Sequence, residues 1–262
     1  MIKLTAQRPG NASHSESAAM PLFVETMEPG SATTSTGRPG LLRVEHLPFT
    51  VRMVRTECDL LKAVSIRHAA YARHVPDLAR LLKHPEAVDY SSDVEVVLAE
   101  SKLDGSPLGT LRIQTNRSHP LVLEESLQLP AWLQGRRMAE ATRLGITDGA
   151  AGRLVKTVLF KVFYQYCLLN ELDWMVITAR APLDRQYERL MFRDVYPELG
   201  YVPMKHVGGL PHRVLALAVN EAHSAWHSAG HPLLEFMCST QHPDIQIDRP
   251  RRSLISDLPG LS

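Results

Sequence analysis

The stretch Met138-Ala139-Glu140-Ala141-Thr142-Arg143-Leu144-Gly145-Ile146-Thr147-Asp148-Gly149-Ala150-Ala151-Gly152-Arg153 decides the fold. Its first nine residues alternate with period two, so they read as a β-strand with Met138, Glu140, Thr142 and Leu144 on one face. Ala139, Ala141, Arg143 and Gly145 take the other. A glycine-bearing turn follows, and Leu154 to Glu171 has the length and apolar content of a buried helix. Strand, glycine turn and helix in that order leave unpaired N–H groups at a positive helix end, a place suited to a phosphate or other anion. Most such turns are plain connections, and this one has neither the Walker nor the Rossmann glycine spacing. Glu140 is the unusual residue, because a carboxylate on an inward strand face is costly to bury without a partner. Glu140 and Arg143 project to opposite faces, so each needs a partner of its own.

Downstream, Trp174 to Ala179 reads as a strand, Leu183 to Asp194 as a helix, and Gly200 to Val202 and Val214 to Val219 as strands. Upstream, Thr50 to Val54 reads as a strand and Cys58 to His74 as a helix that carries Arg67 on its apolar face. Val94 to Ala99 and Leu108 to Gln114 flank Asp104-Gly105-Ser106-Pro107 as a hairpin, with Arg112 inside its second strand. A hairpin before the glycine turn and strand-helix units after it argue for a mixed central sheet with helices on both faces, an α/β (α+β) architecture, and against a doubly wound dinucleotide fold. Residues 1–46 are rich in Ser, Thr, Gly, Pro and Ala, and predict a disordered leader. The core then spans 47–220, and 221–262 form a C-terminal helix and tail.

Composition bounds the rest. The chain has 262 residues, 44% hydrophobic and 22% charged, with 29 Lys plus Arg against 28 Asp plus Glu. Near-neutrality excludes the broad basic surface of nonspecific nucleic-acid binders. No stretch approaches a membrane span and no secretory signal is evident, so a cytoplasmic protein without an integral membrane segment is expected. Cys58, Cys167 and Cys238 are too few and scattered for a disulfide framework or paired-cysteine zinc site. His223, His227 and His231 recur every four residues, but no glutamate lies between them at the metalloprotease position; they read as a solvent-facing stripe and no metal is expected. Asp89 and Asp93 lie in a loop before a strand, where aspartates usually form turns. Arg67 and Arg112 sit in segments whose spacing implies burial, and Asp89, Asp93 and Glu140 are the evident carboxylates to pair with them.

Taken together, Ile66-Arg67-His68, Asp89 and Asp93, Gly109-Thr110-Leu111-Arg112 and Ala139-Glu140-Ala141-Thr142-Arg143-Leu144 resemble the acyl-homoserine-lactone synthases and, more closely, the related N-acyl amino acid synthases of the GNAT acyltransferase superfamily. Tyr187-Glu188-Arg189-Leu190-Met191-Phe192 and Leu199-Gly200-Tyr201 are similar to that fold's later helix and strand. The acidic pair departs in spacing: Asp89 and Asp93 are four apart, whereas the lactone synthases carry a tighter Asp-x-Tyr-Asp.

The resemblance implies a GNAT-like sheet with two parallel strands splayed at the donor site, and an N-acyltransferase that moves a long-chain acyl group to the α-amine of an amino acid. Glu140 would be the base and Thr142 would orient water or substrate. Arg67, Asp89, Asp93, Arg112 and Arg143 would form the acceptor site. A phosphopantetheine arm would run past Gly145 and Ile146, with its phosphate at Gly149, Ala150, Gly152 and Arg153, and apolar residues of the Leu154 helix and Trp174 strand would line an acyl tunnel. The coenzyme-A signature of acetyltransferases is absent from Thr147 to Arg153, which favours acyl carrier protein as donor, with no resident cofactor. The alternatives are a lactone synthase, an acyl-CoA-dependent enzyme of the same fold, and a non-catalytic module binding lipid or carrier protein.

Overall fold

A computed structural model describes residues 43–247. The chain divides into units Met1–Pro39 and Gly40–Ser262, and only the second contains described residues. The leader expected over 1–46 therefore lies outside them except for residues 43–46, which are part of the folded unit.

Strands β1 (Arg43–Val44) and β2 (Phe49–Met53) lead into helix α1 (Glu57–His74) and the short α2 (Pro76–Leu81). Thr56 caps α1 by accepting the Asp59 N–H, and Glu57 and Asp59 sit in the first turn, where the helix dipole favours anions. The hairpin β3 (Val94–Ser101) and β4 (Pro107–Thr115) follows, then β5 (Met138–Ile146) and α3 (Gly149–Leu169). Next come β6 (Trp174–Ala179), α4 (Leu183–Arg189), β7 (Arg193–Asp194), β8 (Val202–Met204), β9 (Leu210–Ala218) and α5 (Val219–Ser228). The last described elements are β10 (Thr240–Gln241) and β11 (Ile245–Gln246). The main sheet runs β11-β2-β3-β4-β5-β6-β9-β7, with β8 also on β9, and β1 pairs with β10. Within the main sheet β5–β6 and β11–β2 are parallel and the other pairs antiparallel. The mixed order expected from the sequence is present.

The faces are packed differently. On one, Val155, Leu159 and Phe163 of α3 and Trp226 of α5 close a single apolar core over Leu111, Ile113, Ala139, Met175 and Ile177. These α3 and β6 side chains, expected to line an acyl tunnel, are buried against one another. On the other face, one apolar cluster lies under α1, with Leu60, Val64, Val96 and Leu98. A second gathers Leu123, Leu133, Met138, Val176 and Val214. Between the two lie the buried polar residues Arg67, Asp89, Arg112, Glu140, Thr142 and Arg143.

The C-terminal residues belong to the fold. Trp226 is 0% exposed, and Lys161 of α3 donates to the carbonyls of Phe236 and Thr240 and contacts His242 Nδ1 at 3.0 Å. What reads as a tail from His242 onward supplies edge strand β11. Among the described residues, no helix is long and apolar enough to cross a membrane.

Candidate active site

Strand β5 is the spine of the site. Met138–Ala141 pair in parallel with Trp174–Ile177 of β6. Beyond Ala141 the strands part, as β5 stays with β4 to Ile146 and β6 stays with β9 to Ala179. The cause lies within β5. Arg112 pairs with Thr142 and Thr110 with Gly145, so two steps on β4 oppose three on β5. Arg143 absorbs the extra residue at φ 55°. A bulge bends its strand and increases the local twist, which carries the end of β5 away from β6.

The same bulge corrects the period-two reading. Arg143 does not point away from Glu140 and Thr142 but joins their face, where its Nε and Nη2 meet Glu86 at 2.7 and 2.6 Å. Glu86 is the centre of the cluster, and the sequence reading missed it. Arg112 Nη1 reaches it at 2.9 Å and Arg67 Nη1 at 3.3 Å. Burial would raise the Glu86 carboxyl, but the Arg143 hydrogen bond and the charges of Arg112, Arg143 and Arg67 prevail and hold it down to about 2. Asp89 takes both Nη groups of Arg67, at 2.9 and 3.1 Å, and Arg112 Nη1 at 3.3 Å. Glu86 and Asp89 are fixed as a pair by a 3-10 turn, in which the Glu86 N–H donates to Asp89 Oδ2.

Asp93 is not part of this cluster. It accepts from the Ser118 N–H and hydroxyl and meets His119 Nδ1 at 2.9 Å. There it anchors the rim of a cavity of ≈ 660 Å³ beside the start of β5, lined by Arg117, Glu124, Gln134 and Met138 among others. An acceptor site built from Arg67, Arg112, Arg143, Asp89 and Asp93 thus needs Glu86 in place of Asp93.

Arg67 is committed to Asp89 and Glu86. Only its Nε is left, buried and without a partner among the described residues, while Arg112 donates Nε to Thr142 Oγ1 at 3.1 Å and Nη1 to the carboxylates. Thr142 is thereby held as an acceptor of Arg112. Glu140 is fully buried. Its Oε2 accepts the Leu123 N–H at 3.0 Å, and Oε1 has no donor among the described residues. Burial, only partly offset by that N–H and by Arg112, pushes its carboxyl up to about 7. Gln114, its partner across the strands, donates Nε2 to the Pro120 carbonyl and leaves Oε1 buried and unpaired.

At the open end of β5, Gly145 is packed so closely on α1 that an added Cβ would lie 2.9 Å from the Arg67 Cα. The Ile146 carbonyl accepts Arg73 Nη2. Helix α3 starts at Gly149, φ 80°, with Ala150 and Arg153 exposed on its first turn and Gly152 buried. Asp148 at the N-cap makes no side-chain capping bond, so no side chain caps these N–H groups. The arrangement has a parted pair of parallel strands, a helix N-terminus at the parting's open end, and a buried carboxyl poised near neutrality beside it. Those are the parts of a GNAT-like N-acyltransferase.

Residues 62–220, more than half of the chain, match the FeeM family of N-acyl amino acid synthases, and the chain belongs to that family. No curated protein matches it. Among solved structures it is similar to FeeM, an N-acyl amino acid synthase from uncultured soil microbes, at 19% identity and a TM-score of 0.55 over 72% of this chain and 97% of that one. It is also similar to the AHL synthase LasI, at 17% identity and a TM-score of 0.48 over 66% and 90%. A third is an acyl-CoA N-acyltransferase from Pseudomonas aeruginosa, at 19% identity and a TM-score of 0.41 over 65% and 98%.

Proposed function

We propose that this N-acyltransferase moves a long-chain acyl group from the phosphopantetheine thioester of acyl carrier protein to the α-amine of a free amino acid. The observation that carries the reading is Glu140: a fully buried carboxyl with one unpaired oxygen, ionising near neutral pH beside the parted strands. An ammonium group must lose a proton before it can attack, and a base with a pKa near the working pH is the most effective acceptor. Glu140 Oε1 takes that proton, directly or through a water oriented by Thr142. The nitrogen then adds to the thioester carbon, the C–N bond forms, the C–S bond breaks and the pantetheine sulfur leaves as the thiol. The second proton leaving nitrogen balances the thiolate.

Acceptor recognition follows from charge. Among the described residues, Arg67, Arg112 and Arg143 face only the carboxylates of Glu86 and Asp89, which leaves one positive charge over while Glu140 is protonated. A substrate carboxylate beside Arg112 compensates it. The oxyanion is held by backbone N–H groups of Leu144 to Ile146, the pantetheine runs past Gly145 and Ile146, and its phosphate sits at Gly149 to Gly152 with Arg153. A donor with a single phosphate suits a helix end where Arg153 is exposed, Arg73 is held by Asp148 and the Ile146 carbonyl, and no coenzyme-A glycine signature is present.

The test is to mix the full chain with long-chain acyl carrier protein and a pool of amino acids, following free thiol and product mass. Thiol release with an N-acyl amino acid is the expected result. An acyl-lactone product would make it a lactone synthase, and turnover with acyl-CoA alone would replace the donor. Absence of thiol with every donor would leave a binding module.

A further inference from the structure

His206 lies on a 3-10 turn, Lys205–Val207, between β8 and β9. Its carbonyl accepts Nη1 and Nη2 of Arg143 on β5, both at 3.2 Å, and its ring Nε2 lies 3.3 Å from Thr178 Oγ1 on β6. Thr178 is the first β6 residue beyond the last β5–β6 pair, Ala141↔Ile177. One residue therefore spans the strands where they part. Its Nδ1 is buried and has no partner among the described residues, and the same holds for Glu140 Oε1. A buried polar atom without a partner costs stability, and two acceptors left open beside a site for an amine are what its N–H donors require.

The Thr178 hydroxyl can accept from Nε2–H or donate to a bare Nε2. With Nε2–H donating to Thr178 Oγ1, Nδ1 carries a lone pair, and this is the tautomer that an amine donor selects. Burial first, then the charges of Arg143, His212 and Arg112, against Glu86, depress the imidazole to about 4, so the ring stays neutral through the physiological range.

We propose that His206 binds the acceptor amine: Nδ1 accepts one N–H of the α-amine while Glu140 Oε1 takes the other proton, turning the nitrogen lone pair toward the thioester in the β5–β6 parting. The inference rests on the acyltransferase reading above. Across the step His206 neither gains nor loses a proton. One nitrogen proton passes to Glu140, the C–N bond forms, the C–S bond breaks, and the sulfur departs with the second proton. An amine able to donate two N–H bonds is selected, and a tertiary amine or an alcohol is not.

Steady-state kinetics of the full chain, with acyl carrier protein thioester and the preferred amino acid, test this in His206→Ala and His206→Asn. Loss of one hydrogen bond to the amine is expected to raise the amino-acid KM about tenfold in His206→Ala, with kcat changed less than about threefold. The donor KM stays unchanged, and the acid limb of the pH profile stays where it is in the wild type. Asparagine places Oδ1 where Nδ1 stands, so His206→Asn recovers most of the affinity. Thermal melts of both variants should match the wild type within a few degrees. An amino-acid KM within about twofold of wild type in His206→Ala, an Asn variant no better than Ala, or a displaced acid limb would each overturn the assignment. A wild-type protein that releases no thiol from any donor overturns the acyltransferase reading instead, and this inference with it.

Discussion

Glu140 and Glu86 are two buried glutamates with opposite protonation behaviour, and each makes a prediction. Glu140 lacks a paired cation in direct contact, so its carboxyl is pushed up to about 7. Glu140→Gln should lower kcat about 100-fold, the lower end of a general base's contribution. It should also abolish the rise of rate with pH near 7. The linkage has a definite sign: the folded protein holds this proton more tightly than the unfolded chain, so Glu140 makes wild-type stability fall as pH rises from about 5 to 8. Melting temperatures should therefore favour Glu140→Gln over wild type increasingly across that interval. Glu86, held down to about 2 by three arginines, contributes stability at neutral pH that is lost as pH falls below about 4.5. Glu86→Ala leaves Arg143 without a carboxylate and Arg67 and Arg112 sharing Asp89, and should cost about 3–5 kcal/mol in denaturant unfolding. Glu140 was legible in the sequence because a single charge interrupts an apolar strand face. Glu86 was not, since Pro85-Glu86-Ala87 reads as an ordinary loop; the available signal was three interior arginines with too few carboxylates, and Glu86 stands one 3-10 turn before Asp89.

At the scale of elements, β5 and the start of α3 are where sequence and structure agree most closely and then diverge. Strands Met138–Ile146 and Trp174–Ala179 have the expected bounds because each is a continuous β-rich run. Helix α3 starts at Gly149, five residues before the first strongly apolar residue, Leu154, since its opening turn has no apolar periodicity to announce it. Gly152 explains how that turn closes: an added Cβ would overlap the Thr147 carbonyl oxygen. Gly152→Ala should displace α3 from the end of β5, giving a large loss of melting temperature and weaker donor binding, whereas exposed Ala150→Ser should alter neither appreciably. The bulge at Arg143 escaped the period-two reading because an extra residue in a strand shows only when its partner strand is known.

At the scale of the molecule, the segment after α5 closes over the face opposite the site and meets α3 at Lys161. That ammonium is held by two carbonyls and His242, and burial lowers its pKa to about 8. Truncation after Leu234 would leave Lys161 buried without these acceptors and remove β10 and β11; soluble yield and melting temperature should both drop, while wild-type full chain melts in one transition. The sequence by itself determined the order of the longer strands and helices, the mixed sheet, the placement of Glu140 on an inward face and the glycine turn into α3, because these depend on local periodicity and backbone preference; it did not show that the helix expected over Leu183 to Asp194 ends at Arg189 and gives way to β7, nor that the C-terminal segment forms β10 and β11. Only the tertiary structure decided that Arg143 shares a face with Glu140, that Glu86 rather than Asp93 binds the arginines, and that His206 spans the parted strands. Those relations join residues up to 63 positions apart, as Arg143 and the His206 carbonyl are, and long-range packing leaves no periodic trace in the chain.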